Sequence, residues 1–448
     1  MFSYDTKSKE ELVQELDLLT KKYEEFKNKN LNLDMSEDKL SKEQLDLSSP
    51  MLDTLISDSN FVVDEEDIQY ARVNHKNMGS RNVNYEGVNC KNIDNESINC
   101  ESTKCRGADG EDIGCEGASY KDIGSENISC KDTSHKNEDD ENSCEGTDCR
   151  NYGLHEGIRA MKAIFSDILK VNIDNLFIGE NSSLSMMFDV ISLYLIHGVC
   201  GRTPWLKQPR IKFLCPIPGY SGHFNILSYF DIDHILIPMR NDGPDMEIVE
   251  KIVSEDESAK GIWCVPKYSN PQGITYSEEV IRRFSRLCPK APDFRIFWDN
   301  AYAVHDLTDS KEELPSLMDE CIRTKNEDLP ILFCSTSKIT FPGAGVAALA
   351  ASKKNLLEIK KYYQHKTIGF DKLNQLRHAK FFENYEGLLE HMKKHRKLLR
   401  PKFQVVLNCL AREFSEDNKN LATWNEPKGG YFVSVDVEPG LAKSIVSL

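Results

Sequence analysis

From about residue 150 the chain alternates between two kinds of sequence. Short apolar runs at 176–179, 211–215, 234–238, 260–265, 294–298, 330–334 and 345–350 have the length and composition of buried strands. Amphipathic stretches such as Leu184 to Leu195 and Ser277 to Leu287 lie between them. Strands that alternate with helices form βαβ units, so the expected class is α/β, with a mainly parallel, seven-stranded sheet covered by helices. From about 371 strands become rare. Long polar helices (Asn374 to Phe414) lead to a short strand region, Gly429-Gly-Tyr-Phe-Val-Ser-Val435, which reads as a second, smaller α+β domain.

The N-terminal part differs. Residues 8 to 28 read as an amphipathic helix, with Leu12, Leu16, Leu19, Tyr23 and Phe26 three or four apart. A polar segment follows, and residues 50 to 63 (Met51, Leu52, Leu55, Ile56, Phe61, Val62, Val63) are expected to pack. Residues 72–141 divide into fourteen pentads, from Arg72-Val-Asn-His-Lys76 to Asn137-Glu-Asp-Asp-Glu141, with a charge at every fifth position. A right-handed β-helix would need inward small or apolar residues two apart. Here the second position is weakly apolar and the fourth is mixed, so the block is expected to be a disordered insertion. Its cysteines, Cys90, Cys100, Cys105, Cys115 and Cys130, follow the pentad and not a zinc spacing. No metal site is expected.

With 448 residues the chain is long enough for two domains and accessories. A net charge of −16 argues against nucleic acid and membrane surfaces as partners. No apolar run is long enough to span a bilayer, and Met1-Phe-Ser-Tyr-Asp5 is not a signal peptide. Fourteen cysteines without an export signal fit reduced thiols, so a cytoplasmic location is expected.

In a parallel sheet, ligands sit beyond the carboxyl ends of the strands. Asn181, Ser182 and Ser183 follow the first strand and open a helix, where backbone N–H groups can bind phosphate; Asn181 or Ser182 also reads as a plain N-cap. Tyr220 follows the second and can stack on a flat ring, or stand as a surface turn residue. Asn270 sits in an Asn-Pro turn after 260–265. Asp299 and Tyr302 follow 294–298, where an aspartate can face a cationic ring nitrogen or cap a helix. Ser335 and Lys338 follow 330–334 in Cys334-Ser-Thr-Ser-Lys-Ile-Thr-Phe-Pro-Gly-Ala-Gly-Val346. A lysine in dry or cationic surroundings becomes a nucleophilic amine that forms Schiff bases; alone, Lys338 reads as a solvated loop lysine. The order of these groups along one sheet is the specific signal.

Three stretches carry a family resemblance: Asn270-Pro-Gln-Gly-Ile-Thr-Tyr-Ser277, Asp299-Asn-Ala-Tyr-Ala-Val-His-Asp-Leu307 and Ser335-Thr-Ser-Lys-Ile-Thr-Phe-Pro-Gly-Ala-Gly-Val-Ala347. The chain resembles class I, fold-type-I pyridoxal-phosphate (PLP) aminotransferases, in particular the bacterial aspartate aminotransferase subgroup, over residues 5–67 and 148–448. The resemblance implies an N-terminal arm (1–67), the pentad insertion (68–147), a large PLP-binding domain (148–370) and an incomplete small domain (371–448). It implies Lys338 as the Schiff-base lysine and proton shuttle, and Asp299 on the pyridine nitrogen. Asn270 and Tyr302 would bond the phenolic oxygen, and Tyr220 would stack on the ring. Asn181, Ser182, Ser183 and Ser335 would hold the phosphate. Tyr152 would reach the neighbouring subunit's phosphate, which implies a homodimer with shared sites. The implied reaction moves the amino group of an acidic amino acid, L-aspartate foremost, to 2-oxoglutarate in ping-pong fashion.

Three departures bear on turnover. The family's arginine for the substrate α-carboxylate, near its C-terminus, has no counterpart here, since the last arginine is Arg412. Glu37-Asp-Lys-Leu40 stands where the family has Arg-Gly-Lys-Pro, and Pro218-Gly-Tyr-Ser-Gly-His-Phe224 lacks a basic residue. The expectation is therefore that cofactor binding is more secure than turnover, in a shortened chain. Two other readings use the same residues: a relic that binds cofactor without efficient turnover, and another PLP reaction such as a lyase.

Overall fold

The computed structural model describes residues 7–29, 39–63, 147–309, 312–414 and 421–447. The pentad block, and with it the choice between β-helix and disorder, lies outside the described residues, as do Glu37 and Asp38. Ser8 opens α1 (Lys9–Lys27) with a capping box, and Ser41 with Gln44 opens α2 (Lys42–Ser48) in the same way. Val62–Val63 (β1) pairs antiparallel with Thr147–Asp148 (β2) in the register Val62↔Asp148 and Val63↔Thr147.

Next come α3 (Arg159–Leu169), β3 (Leu176–Gly179), α4 (Ser183–His197), β4 (Lys212–Ile217), α5 (Ser221–Tyr229), β5 (Asp233–Arg240) and β6 (Gly243–Pro244). They are followed by α6 (Met246–Glu255), β7 (Ala259–Cys264), α7 (Glu278–Ser285), β8 (Arg295–Asp299), α8 (Leu317–Thr324), β9 (Pro330–Ser335) and β10 (Ala347–Ala351). The chain then runs through α9 (Lys353–Lys366), α10 (Lys372–Phe382), α11 (Tyr385–Glu413), β11 (Ala422–Trp424), β12 (Val435–Val437) and α12 (Ala442–Ser447).

β3 to β10 form one eight-stranded sheet in the order β3-β10-β9-β8-β7-β4-β5-β6. β5, β4, β7, β8 and β9 run parallel, and β10 is antiparallel to both β9 and β3. All seven expected strands are present; β6, of two residues, adds an antiparallel edge to β5. β7, β8, β9 and β10 are buried at every position, because helices cover both faces, and this is why they read as unbroken apolar runs. Side chains alternate between two cores. Leu214, Ile262, Ile296 and Trp298 face one, with Ile164 and Phe165 of α3. Phe213, Trp263, Phe297 and Phe333 face the other, with Met187 and Tyr194 of α4. Truncating Phe297, fully buried between Trp263 and Phe333, would cost about 3–5 kcal/mol.

Two sequence expectations shift. Gly429 to Ser434 is loop, and the strand begins at Val435, paired with Trp424. Gly430 has φ +77, which breaks extended backbone, and a Cβ on Gly429 would lie 2.0 Å from the Tyr268 ring. These glycines bring the loop onto Tyr268, beside Tyr302. The stripe of α1 forms, but Leu12, Leu16, Leu19, Tyr23 and Phe26 stay exposed, and packing by the arm starts only at Leu40, Gln44, Ser48 and Met51. Of the residues from 50 to 63, Met51 is buried, whereas Leu52, Ile56 and Val62 are exposed. The described residues belong to one compact unit, in which α10 and α11 pack on α3 and α11 also packs on α2.

Candidate active site

The carboxyl ends of β3, β4, β7, β8 and β9 open onto a cavity of about 100 Å3. Eight of the ten residues singled out from sequence line it: Ser182, Ser183, Tyr220, Asn270, Asp299, Tyr302, Ser335 and Lys338. Ser182 caps α4, its Oγ accepting the Ser185 N–H at 3.2 Å, and Ser182, Ser183 and Leu184 put the first turn of that helix in the cavity lining. Asp299 is the last residue of β8, opposite Phe333 of β9, and the Asn300 N–H bonds to the Phe333 carbonyl at 2.8 Å. That register fixes the carboxylate beside the turn that carries Lys338.

Lys338 Nζ donates to Tyr302 Oη at 3.0 Å and lies 5.8 Å from the centre of the Tyr220 ring. Asp299 is 4% exposed. Its Oδ2 accepts from His223 Nε2 at 3.1 Å, while Oδ1 is buried without a partner. A buried carboxylate oxygen left unbonded is costly, so it marks where a donor is to come from. His223 is held by stacking on Trp263 (4.5 Å between centres, 11° between planes) and by the edge of Tyr220. Ser335 Oγ donates to Ser337 Oγ, and Ser337 Oγ to the Asn181 carbonyl, each at 3.1 Å.

The other two residues fall outside the lining. Asn181 is exposed and contributes its carbonyl, and Tyr152 is 73% exposed. The sequence reading assigns no role to His223, although it stands in the quoted run Pro218–Phe224. The signal for His223 was an imidazole one helical turn past the stacking tyrosine at a strand end. A larger cavity, about 170 Å3, lies beside Asn300 and Trp298. Its lysines are engaged, Lys267 with Asp306 at 2.9 Å and Lys170 with the Leu314 carbonyl at 2.9 Å, and it holds no comparable set of hydroxyls and stacking rings. Among the described residues, no group of three or more His, Cys, Asp or Glu side chains is placed to hold a metal ion, and no helix is long and apolar enough to cross a membrane.

A mainly parallel sheet with its lysine-bearing turn after β9 defines a PLP-dependent aminotransferase of fold type I. Residues 127–448 match the profile of the family described as aspartate amino-transferase. A Mycolicibacterium smegmatis protein, named provisionally as an aminotransferase, is 47% identical over 304 residues, 68% of this chain and 71% of that protein. The aspartate aminotransferase of Corynebacterium glutamicum is 42% identical over 310 residues, 69% of this chain and 71% of its own length. The crystal structure of an aspartate transaminase from C. glutamicum superposes with a TM-score of 0.75 at 33% identity, covering 98% of this chain and 84% of that one. The chain belongs to the aspartate amino-transferase family.

Proposed function

We propose that this aminotransferase binds PLP in the cavity around Lys338 and moves the amino group of an acidic amino acid, L-aspartate foremost, to 2-oxoglutarate. The observation that carries the reading is the unpartnered Oδ1 of Asp299 in the same small cavity as the Lys338 amine. When bound, the cofactor supplies an aldehyde for amines and a ring nitrogen cation that draws electrons from the substrate.

The protein's own groups divide the remaining work. Lys338 Nζ is the amine that would hold the cofactor and, as a free base, would move the proton at the substrate Cα. Tyr302 Oη, 3.0 Å from that nitrogen, fixes its direction and, with Asn270 in the same cavity lining, would bond the ring's phenolic oxygen. Asp299 Oδ1 would accept from the ring nitrogen, while His223 keeps the other oxygen engaged. Tyr220 would cover one ring face. The N-terminus of α4 with Ser182, Ser183 and Ser335 supplies the phosphate cradle, and Ser337 joins it through Ser335. Asn181 supports the cradle through its carbonyl. Tyr152 is exposed as a residue reaching a second subunit's site has to be, so the reading includes a homodimer with shared sites.

The choice of aspartate is supported by the name of the C. glutamicum relative, and 2-oxoglutarate is the acceptor that the sequence resemblance implies. It is tested by incubating PLP-loaded protein with L-aspartate and 2-oxoglutarate and following glutamate and oxaloacetate. Equal amounts of both, abolished in Lys338→Ala, are expected. Ammonia release or decarboxylation in place of glutamate would reject transamination.

A further inference from the structure

The turn that carries Lys338 is gripped from outside the cavity. Thr336 and Thr340 hold one side of it, with His378 Nε2 of α10 at 3.1 and 2.9 Å from their hydroxyls. The two carbonyls between them, those of Lys338 and Ile339, are met from three further directions. His305 Nε2 lies 3.1 Å from the Lys338 carbonyl, and the Tyr431 hydroxyl donates to the same oxygen at 3.3 Å. His391 Nε2 of α11 lies 2.9 Å from the Ile339 carbonyl.

One side chain ties two of these supports together. Gln44 of α2 is 2% exposed. Its Oε1 accepts the Ser41 N–H at 3.1 Å in the capping box, which directs its amide NH2 inward. That NH2 donates to Tyr431 Oη at 3.2 Å and to His395 Nδ1 at 3.1 Å. His395 Nε2 in turn lies 3.1 Å from His391 Nε2, and Ser48 Oγ lies 3.3 Å from the same His391 nitrogen. One unbroken donor route therefore runs from Gln44, through Tyr431 to the Lys338 carbonyl, while its second contact orients His395, whose Nε2 packs on His391 next to the Ile339 carbonyl. Tyr431 is half-buried and the others are buried, His305 being 4% exposed, His391 3%, His395 1% and Ser48 0%. Hydrogen bonds between such groups hold the chain they meet, and that support is lost when one member is removed.

We propose that Gln44 is a positioning residue for Lys338: from α2 it braces the Lys338 carbonyl through Tyr431, with His395 held beside it, and so sets the direction in which the amine enters the cavity. The proposal rests on the reading of Lys338 as the cofactor-bearing lysine. It also gives the N-terminal arm a part in the site without contact with the bound ligand.

The test compares PLP-loaded wild type, Gln44→Leu and a control, Ser316→Ala, which removes the α8 N-cap. Three quantities are read: the melting temperature without cofactor, the dissociation constant for PLP, and the pH midpoint of the visible absorbance band. Gln44→Leu fills much of the same space with a shorter apolar side chain and leaves Tyr431 and His395 without their donor. It should weaken PLP binding by about fivefold or more, the size of one lost buried hydrogen bond. It should also move the spectral midpoint by about half a pH unit or more. The control should lose melting temperature with neither change. If Gln44→Leu does not fold, Gln44→Glu, which still accepts from Ser41 but puts an acceptor where the amide donated, should move the midpoint in the same experiment. A wild-type band together with a Gln44 variant indistinguishable from the control overturns the positioning role alone. A wild type that forms no band overturns the assignment of Lys338 and the proposal with it.

Discussion

His223 Nε2 bonds to one oxygen of the Asp299 carboxylate at 3.1 Å and leaves the other, buried and unpartnered, facing the cavity of Lys338. In the proposed reading the pair divides the carboxylate between a structural and a chemical task. Asp299→Asn presents an NH2 or a neutral oxygen where a ring N–H needs an anion, so kcat/KM should fall by about 10²–10³-fold or more while the fold is kept. His223→Leu leaves the ring-facing oxygen in place but frees its partner, and should cost about tenfold in kcat/KM and about 1–3 kcal/mol in stability. Steady-state kinetics with denaturant titrations of both variants check this. The division would be contradicted if the His223 variant were as damaged as the Asp299 one.

The proposed phosphate cradle depends on a close backbone approach. A Cβ on Gly345 would lie 2.6 Å from the Asn181 carbonyl and 3.0 Å from Ser337 Oγ, two atoms that bond to each other. Gly345→Ala must therefore push the Asn181–Ser183 turn away from Ser335 and Ser337. PLP affinity, measured by absorbance titration, should drop about tenfold or more, the size of one lost charge-assisted hydrogen bond. Gly343→Ala, where an added Cβ meets nothing within 4 Å, should leave it unchanged.

Acid stability should follow the buried imidazoles. Burial pushes His305 and His378 down to about 4 and His395 to about 3, and lowers His391 as well. In the unfolded chain each titrates near about 6.5. Between that value and about 4 the unfolded chain takes up protons that the folded one refuses, so this stability is present above about pH 6.5 and is lost as the pH falls. The melting temperature should drop by roughly 5–10 °C between pH 7.5 and pH 5. His378→Asn should flatten that slope even if it lowers the temperature throughout. A flat profile in the wild type would contradict the burial of these groups.

The β1–β2 ladder holds Val63 opposite Thr147, so the chain ends flanking 64–146 already lie side by side. Replacing 64–146 by Asn-Gly completes a two-residue hairpin and shortens the loop to be closed, which is worth a few kcal/mol at most. Calorimetry should give an unchanged or higher melting temperature, and PLP titration an unchanged affinity. A protein that aggregates or loses cofactor affinity on excision would assign the segment a part in the fold.

Much of the fold was legible because interior parallel strands are apolar on both faces. Runs such as Ile331 to Cys334 carry that signal without help from their neighbours. The site was legible to the extent that its residues follow strand ends, as Asp299 and Lys338 do. His223 escaped because its role needs Trp263 beneath it and Asp299 beside it, both far off in sequence. Gln44 escaped for the same reason: its partners lie on α11 and in the loop before β12. The α1 stripe was read correctly as a helix face, but periodicity shows where a face is and not what meets it.

The central claim is that the Lys338 amine captures the cofactor aldehyde. Protein incubated with PLP is reduced with borohydride, digested and mapped by mass spectrometry. The account predicts one phosphopyridoxyl group per chain, on Lys338, and none in Lys338→Ala. A group on Lys267 or another lysine, with Lys338 unmodified, would contradict it.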